Sequence, residues 1–262
     1  MNIVFLGGGR ITSAMLAGLQ LARTNHRLVV HDRNRKKLDD LKKRYSVAVE
    51  FDLKRAVAAA DLLVLAVRPG SVNELLRAIG KVNRPLLAVS LAAGVPLRAL
   101  STALGVPVRW ARAMPSPVCR SGRGLTGVTF PRTLPGKDRR RVRDVFASFG
   151  AVVEIPESKF DAFTVTYSCS HGYHALAALA SAAQKAGLDR KTALLASAHA
   201  LADGIVAWRE GKQSLEALLE EAATPGGIAA TSVAAMDAAG YQHAVSKGVT
   251  AGVRKARASA RR

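Results

Sequence analysis

The sequence predicts an α/β amino-terminal half built on a mostly parallel sheet, followed by an all-α carboxyl-terminal half. In the first 155 residues, short β-rich apolar runs alternate with amphipathic stretches of helical periodicity. The runs are apolar almost throughout, as strands covered on both faces are. After Pro156 the chain is rich in alanine, has helical periodicity and contains almost no β-branched runs. The predicted domains are therefore residues 1–155 and 156–262.

The elements of the first half follow one another in a regular order. Strands are predicted over residues 3–7, 28–32, 47–51, 62–67, 86–91, 108–112, 125–130 and 151–155. Helices between them include residues 11–23, 35–44, 72–79 and 137–149. Strand and helix alternating in this way favour parallel strands joined by helical crossovers.

The second half is predicted as a set of helices with small side chains. Asp189 is predicted to be the N-cap of a helix with one apolar stripe, and Ser214 the N-cap of the next helix. A turn at 224–227 and Gly240 separate the later helices. The stripe consists of Leu194, Leu195, Ala198, Leu201, Ala202, Ile205 and Val206. Because so few large residues are available for a separate core, we expect this half to form a dimer.

Composition limits the class of protein further. Of the 262 residues 49% are hydrophobic and 22% are charged, which is typical of a globular chain. Two cysteines are too few for a disulfide framework and favour a reducing compartment. The first strand follows Met1 with no secretory leader, and no apolar run approaches the roughly 20 residues of a membrane helix. We expect a cytoplasmic protein with no membrane partner.

The formal net charge of +20 is the unusual feature of the composition. It is concentrated in the first half, with cationic stretches at 33–44 and 139–143, and a further one at 254–262. Such an excess attracts dinucleotide phosphates, nucleic acid or acidic membrane surfaces. The stretches carry no interleaved aromatic residues of the kind that stack on single strands. Solvated helix faces are the simpler interpretation, and nucleic acid is not the expected partner.

A glycine-rich turn follows the first predicted strand. Gly7, Gly8 and Gly9 precede Arg10 and Ile11, where a helix is predicted to begin. Gly7 allows the tight turn, and Gly9 lets the backbone approach a pyrophosphate at the helix N-terminus. Thr12 takes the place of the third small residue and could crowd the helix against the strand. The context of strand before and helix after predicts a Rossmann dinucleotide-binding domain.

The end of the second predicted strand carries residues that read the adenosine ribose. An acid there binds the 2′-hydroxyl of NAD, whereas arginines favour the 2′-phosphate of NADP. Asp32 supplies the acid, while Arg33, Asn34 and Arg35 supply donors that NAD would leave unused. NADP(H) is the preferred cofactor and NAD(H) the alternative.

Five further motifs resemble one family, pyrroline-5-carboxylate reductase, in the same order along the whole chain. They match its A-V-K-P, S-I-A-A-G, R-x-M-P, L-D-A-x-T and S-P-G-G segments. Here these segments read Ala66-Val67-Arg68-Pro69, Ser90-Leu91-Ala92-Ala93-Gly94, Arg112-Ala113-Met114-Pro115, Phe160-Asp161-Ala162-Phe163-Thr164 and Thr224-Pro225-Gly226-Gly227. The resemblance implies hydride transfer from NAD(P)H to a small cyclic imino acid.

The resemblance also implies an interlocked helical dimerisation domain, and hence a homodimer or higher homo-oligomer. It places Val67, Arg68, Pro69 and Ala93 beside the nicotinamide. Backbone N–H groups at helix starts would bind the substrate carboxylate, here at the Gly226 and Gly227 turn.

This sequence departs from the family pattern in the segments that the resemblance assigns to substrate and nicotinamide. The S-G-S-G-P-A-Y loop reads Tyr167-Ser168-Cys169-Ser170-His171-Gly172-Tyr173, and S-P-G-G-T-T ends in Ile228-Ala229. The M-P-N-T-P segment is Met114-Pro115-Ser116-Pro117 and lacks its Asn. The framework motifs therefore survive, while the substrate pocket is altered.

Candidate replacements for the missing groups lie nearby in the sequence. His171 could donate a proton to the developing amine, because imidazole side chains commonly act as proton donors near neutral pH. Tyr173 and Thr231 are further catalytic candidates, and Ser170 is a candidate for substrate binding. A structural role at a helix N-terminus is the alternative for the histidine. Cys169, His171 and His174 lack a fourth ligand, so no metal is expected.

Three functions remain open from the sequence. The first is an NAD(P)H-dependent imine reductase. The second is a paralogue that binds a dinucleotide but forms no proline, reducing another imine or serving as a sensor or partner protein. The third is nucleic-acid binding through the cationic half, which predicts affinity that falls steeply with salt.

Overall fold

The computed structural model describes residues 1–259, which form two compact units. The first contains residues 1–167 and the segment from Gly252 onward, and the second contains residues 168–251. The compact units thus divide after Tyr167, whereas the sequence predicts functional domains that divide at residue 155. The difference arises because the helix Glu157–Thr166 contacts the sheet of the first unit. The predicted functional boundary stays a prediction.

One eight-stranded sheet organises the first unit, as the sequence predicts. Its strands are β1 (Asn2–Leu6), β2 (Arg27–His31), β3 (Ala48–Val49), β4 (Leu62–Leu65), β5 (Leu86–Ser90), β6 (Val108–Pro115), β7 (Gly124–Thr129) and β8 (Gly150–Glu154). The spatial order is β3-β2-β1-β4-β5-β6-β7-β8. Only the β6–β7 pairing is antiparallel among the described strands. The order of the first strands reverses at β1, which creates the crevice where ligands of open α/β sheets bind.

Seven helices of the first unit are described between and after the strands. They are α1 (Arg10–Leu21), α2 (Arg35–Tyr45), α3 (Leu53–Ala58), α4 (Val72–Ile79), α5 (Leu97–Leu104), α6 (Gly136–Ala147) and α7 (Glu157–Thr166). Short 3-10 turns cover Pro69–Ser71 and Pro117–Ser121. The sequence predicts α1, α2, α4 and α6. It does not predict α5, nor α3, whose six residues are too few to display two full periods of an apolar stripe.

Apolar side chains cover both faces of the sheet. On β1, Ile3 and Phe5 belong to one buried cluster, and Val4 and Leu6 belong to the other. Successive strand side chains point to opposite faces, so this strand is buried on both sides. The continuous apolar runs of the sequence are thereby explained.

The second unit is helical. It contains α8 (Cys169–Lys185), α9 (Arg190–Glu210), α10 (Leu215–Ala222), α11 (Ile228–Ala238) and the first part of α12 (Tyr241–Ser259). Asp189 accepts hydrogen bonds from the N–H groups of Lys191 and Thr192, and Ser214 accepts one from Ala217, so both predicted N-caps are confirmed.

The apolar stripe of α9 is largely exposed in the single chain. Leu195 is 59% exposed, Ile205 55% and Val206 45%. A contiguous exposed apolar surface of this kind is typical of an interface between chains.

The cationic stretches are partly neutralised within the chain. Arg139 and Arg143 of α6 form ion pairs with Glu154 at 3.5 and 2.9 Å. The stretch at 254–262 lies partly outside the described residues. Over residues 1–259 the helices include none that is both long and apolar enough to cross a membrane.

Candidate functional site

A cavity of about 970 Å³ lies at the carboxyl end of β1, β2 and β4. It brings together most of the residues that the sequence assigns to a dinucleotide. The lining consists of Leu6, Gly7, Gly8, Gly9, Arg10, Ile11, Ser13, His31, Asp32, Arg33, Lys37, Asp40, Leu41, Arg44, Leu53, Ala66, Val67, Arg68, Ser71, Glu74, Leu75, Ala78 and Arg120. The volume suits a large ligand.

The turn after β1 requires glycine at its first position. Gly7 has a φ of 112°, and a Cβ atom there would lie 2.6 Å from the carbonyl oxygen of Ala66. Its N–H donates to the carbonyl oxygen of His31 at 2.8 Å, which joins the turn to β2. A side chain at Gly7 would therefore displace either the loop that follows β4 or the glycine turn itself.

The N-terminus of α1 is open toward the cavity. Gly9 is the N-cap residue, no side chain caps the helix, and its first turn contains no acid. A Cβ atom at Gly9 would meet nothing within 4 Å, so the space above it is free. Uncapped N–H groups at a helix start bind phosphate oxygens, and the helix dipole favours the negative charge.

Thr12 does not crowd the turn, contrary to the expectation from the sequence. Its side chain is fully buried, and its hydroxyl donates to the carbonyl oxygen of Gly7 at 2.5 Å. The hydroxyl thus satisfies a polar group of the strained turn, which glycine or alanine could not do.

Asp32 is engaged by backbone donors. One carboxylate oxygen accepts the N–H of Gly8 at 2.7 Å, and the other accepts the N–H of Asn34 at 2.8 Å. Lys37 lies 3.9 Å from the same carboxylate. Asp32 therefore stabilises both the glycine turn and the start of α2. The sequence predicts a contact of Asp32 with the ribose but does not predict this structural role.

The cationic turn from Arg33 to Lys37 surrounds a second, shallow groove with Asp32 and Asn34. Asn34 caps α2 by accepting the N–H of Lys37 at 3.3 Å. The guanidinium of Arg35 lies over the ring of Phe51 at 4.9 Å. Arg33 forms an exposed ion pair with Glu74 at 2.8 Å, and such pairs contribute about 0–1 kcal/mol. A phosphate could therefore displace Glu74 easily.

The remaining predicted cofactor residues separate into two groups. Val67 and Arg68 line the cavity, whereas Pro69 and Ala93 are not part of its lining. Sequence reasoning missed three cationic residues of the lining, Lys37, Arg44 and Arg120. Arg120 lies in the 3-10 turn after β6, and no sequence motif marked it.

In the second unit, Ser170, His171 and Tyr173 lie in the first turns of α8. Ser168 caps this helix, and its hydroxyl lies 2.7 Å from that of Ser170. The side chain of Tyr173 is 69% exposed. These side chains are accessible in the single chain, as candidates for a site must be.

Gly226, Gly227 and Thr231 lie at the start of α11. Gly226 has a φ of 78°, and Gly227 is an N-cap residue with no side-chain cap, so α11 begins with open N–H groups. The hydroxyl of Thr231 donates to the carbonyl oxygen of Gly227 at 3.1 Å. Among the described residues no group of three or more His, Cys, Asp and Glu side chains could hold a metal ion.

Family models match the two halves of the chain separately. Residues 2–94 match the model described as "NADP oxidoreductase coenzyme F420-dependent". Residues 157–259 match the model for pyrroline-5-carboxylate reductase dimerisation. Together they reproduce the order of a Rossmann domain followed by a helical dimerisation domain.

Whole-chain comparisons decide the family. The pyrroline-5-carboxylate reductase of Mycobacterium leprae is 30% identical over 210 residues, which cover 77% of this chain and 71% of that protein. The chain belongs to the pyrroline-5-carboxylate reductase family. The Synechocystis pyrroline-5-carboxylate reductase is 28% identical over 97% of both chains. Pyrroline carboxylate reductase of Plasmodium falciparum, solved with NADP bound, has the same fold with a TM-score of 0.87 at 22% identity, over 99% of this chain and 98% of that one.

As a pyrroline-5-carboxylate reductase family member, the chain is expected to select its cofactor at Arg35. Arg35→Gln should raise the Kd for NADPH about tenfold, because one charge-assisted hydrogen bond to the 2′-phosphate is lost. The Kd for NADH should stay the same. Fluorescence titration with both cofactors measures this. Lys43→Gln removes a charge from the same helix outside the cavity and is the matched control; an equal loss in both variants would contradict a specific contact.

Proposed function

We propose that this chain is an NADPH-dependent reductase of a cyclic imino acid, with pyrroline-5-carboxylate as the first substrate to test. The observation that supports it best is the cavity at the open N-terminus of α1, flanked by the cationic Arg33–Lys37 turn. It fits a pyrophosphate joined to a 2′-phosphorylated adenosine. Near full-length relatives named pyrroline-5-carboxylate reductase favour this function over a binding paralogue without proline-forming activity.

Different residues of the cavity bind different parts of the cofactor. The N–H groups of Arg10 and Ile11 bind the pyrophosphate, and the Arg10 guanidinium adds positive charge there. Arg33, Asn34 and Arg35 bind the 2′-phosphate, while Asp32 shapes the turn beneath them. Val67 and Arg68 flank the path to the nicotinamide, with Pro69 and Ala93 beyond the cavity. When bound, NADPH supplies the hydride for the imine carbon.

The groups that we propose for the substrate lie in the second unit. The N–H of Gly227 already donates to the carbonyl oxygen of Thr224 at 2.9 Å. The open N–H groups of the first turn of α11, directly after Gly226 and Gly227, therefore bind the carboxylate of the imino acid, helped by the dipole of α11. Ser170 orients the ring, and His171 donates a proton as the imine nitrogen becomes an amine. Tyr173 and Thr231 are further donors to the same nitrogen or carboxylate.

The assembly we propose is a homodimer in the cytoplasm. The exposed apolar side chains of α9 support an interface between two copies. The dimerisation model that matches residues 157–259 supports it as well. Light scattering of the purified protein measures the mass, and a monomer at micromolar concentration would contradict the proposal.

Oxidation of NADPH, followed by absorbance, tests the function directly. The substrates are pyrroline-5-carboxylate and piperideine-carboxylate, with a reaction lacking imine as the control. We expect turnover with pyrroline-5-carboxylate. Stabilisation by NADPH in a thermal shift without turnover on either imine would support a binding paralogue instead.

His171 is expected to act in catalysis and not in cofactor binding. His171→Ala should lower kcat about 100-fold, the contribution typical of one proton donor, and leave the Kd for NADPH unchanged. His174→Ala, one helical turn further along α8, is the control. Unchanged turnover in His171→Ala would remove this residue from the mechanism.

A further inference from the structure

The loop between β5 and α5 is fixed at its carboxyl-terminal end by a residue that lies outside the loop. This loop follows Ser90 and contains Ala93, which the family resemblance places beside the nicotinamide. At its end, the N–H of Leu97, the first residue of α5, donates to a carboxylate oxygen of Glu157 at 2.6 Å. The N-cap residue of α5 is Pro96, which offers no side-chain cap of its own. Glu157 therefore caps α5 from 60 residues away.

The same carboxylate is held in place by a buried cation. Arg112 of β6 is 2% exposed, and its guanidinium lies 3.5 Å from the carboxylate oxygen of Glu157 that caps α5. A second contact joins the guanidinium to Asp161 at 3.4 Å, and it also lies over the ring of Phe160 at 4.6 Å. The orientation of Glu157 is thus fixed by groups of α7 and β6.

The sheet register brings this cluster directly beneath the loop. Arg112 is the register partner of Ser90, the last residue of β5. The hydroxyl of Ser90 accepts the N–H of Ala92 at 3.3 Å at the beginning of the loop. The middle of the loop is confined as well, because Gly94 has a φ of 74° and a Cβ atom there would clash with the carbonyl of Ala256 in α12.

We infer that Glu157 is a positioning residue for hydride transfer: by capping α5 it fixes the loop that carries Ala93 against the nicotinamide. This inference rests on the proposed function, and it concerns a residue that contacts neither cofactor nor substrate. Displacing a reacting group by about 1 Å can cost 100-fold in rate. A loop freed at Leu97 therefore lowers kcat, while the binding of the adenosine and pyrophosphate is unchanged.

The test compares three variants of the full-length protein. Glu157→Ala removes the cap, and we expect kcat with pyrroline-5-carboxylate to fall at least tenfold while the Kd for NADPH changes less than threefold. Glu157→Gln keeps an oxygen that can accept the Leu97 N–H, and kcat should recover to within threefold of the wild type. Asp161→Asn also weakens the surroundings of Arg112 but does not touch the loop, so it should lower Tm without lowering kcat.

Two results would overturn the inference. One is a kcat in Glu157→Ala equal to that of the wild type, and the other is an equal loss of kcat in Glu157→Ala and Asp161→Asn. Hydrogen exchange of the Leu97 amide distinguishes failure of this inference from failure of the proposed function. A wild type that reduces neither imine would overturn the proposed function and, with it, the role of Glu157 in hydride transfer. Exchange at Leu97 that is faster in Glu157→Ala, and in no other variant, would then still show that Glu157 caps α5. Equal exchange in all variants would exclude the cap itself.

Discussion

Replacing Arg112 with methionine is expected to lower the free energy of unfolding by about 3 kcal/mol, the lower end of the range for breaking a buried ion pair. Methionine keeps much of the aliphatic length, so packing on Phe160 is largely retained. Glu157 and Asp161 then lose their shared cation and face each other's negative charge. Urea denaturation followed by circular dichroism measures the change.

Arg143→Met serves as the comparison for this substitution. Arg143 of α6 pairs with Glu154 at 2.9 Å, and the two side chains are 44% and 41% exposed. Because both partners of this pair remain accessible to solvent, we expect a smaller loss than at Arg112. A loss at Arg112 no larger than that at Arg143 would show that the buried cluster contributes little to stability.

Gly7→Val is expected to abolish measurable NADPH binding. Its side chain meets the carbonyl oxygen of Ala66 in a backbone conformation that branched residues rarely adopt, so the turn must move. That movement also breaks the contact between Gly8 and Asp32 and displaces the start of α1. We expect the Kd for NADPH to rise more than 100-fold, about 3 kcal/mol, in fluorescence titration.

The control for the glycine turn is Gly136→Ala at the start of α6. Gly136 has no positive φ, and its nearest neighbour is the flexible end of Arg140, so alanine fits without strain. Cofactor affinity should be unchanged. Tight binding by Gly7→Val would mean that the cofactor does not lie against this turn.

Local signals in the sequence were enough to predict the sheet and much of the cavity. Gly7 and Gly9 follow the end of β1 within three residues, and Arg35 follows the end of β2 within four. The carboxyl end of a parallel strand is where such a cavity forms. The caps at Asp189 and Ser214 are equally local, since each cap contacts residues two or three positions along the chain.

Contacts between distant residues could not be predicted in the same way. Arg112 and Glu157 are 45 positions apart, and only the folded sheet brings them together. Asp32 was interpreted through its usual partner, the ribose, because nothing in the sequence shows that Gly8 and Asn34 occupy both of its oxygens. Arg120 was missed because its turn lies beside α1 only after β6 has joined the sheet.

The return of α12 to the first unit has a consequence for the order in which the protein folds during synthesis. Residues 252–259 belong to the first unit, where Gly252 lies against Val165 and Ala256 against Gly94. They leave the ribosome only after all of residues 168–251 have been made. The nascent amino-terminal unit can form its sheet early. The loop at Gly94 nevertheless stays uncovered until the helical unit has been translated.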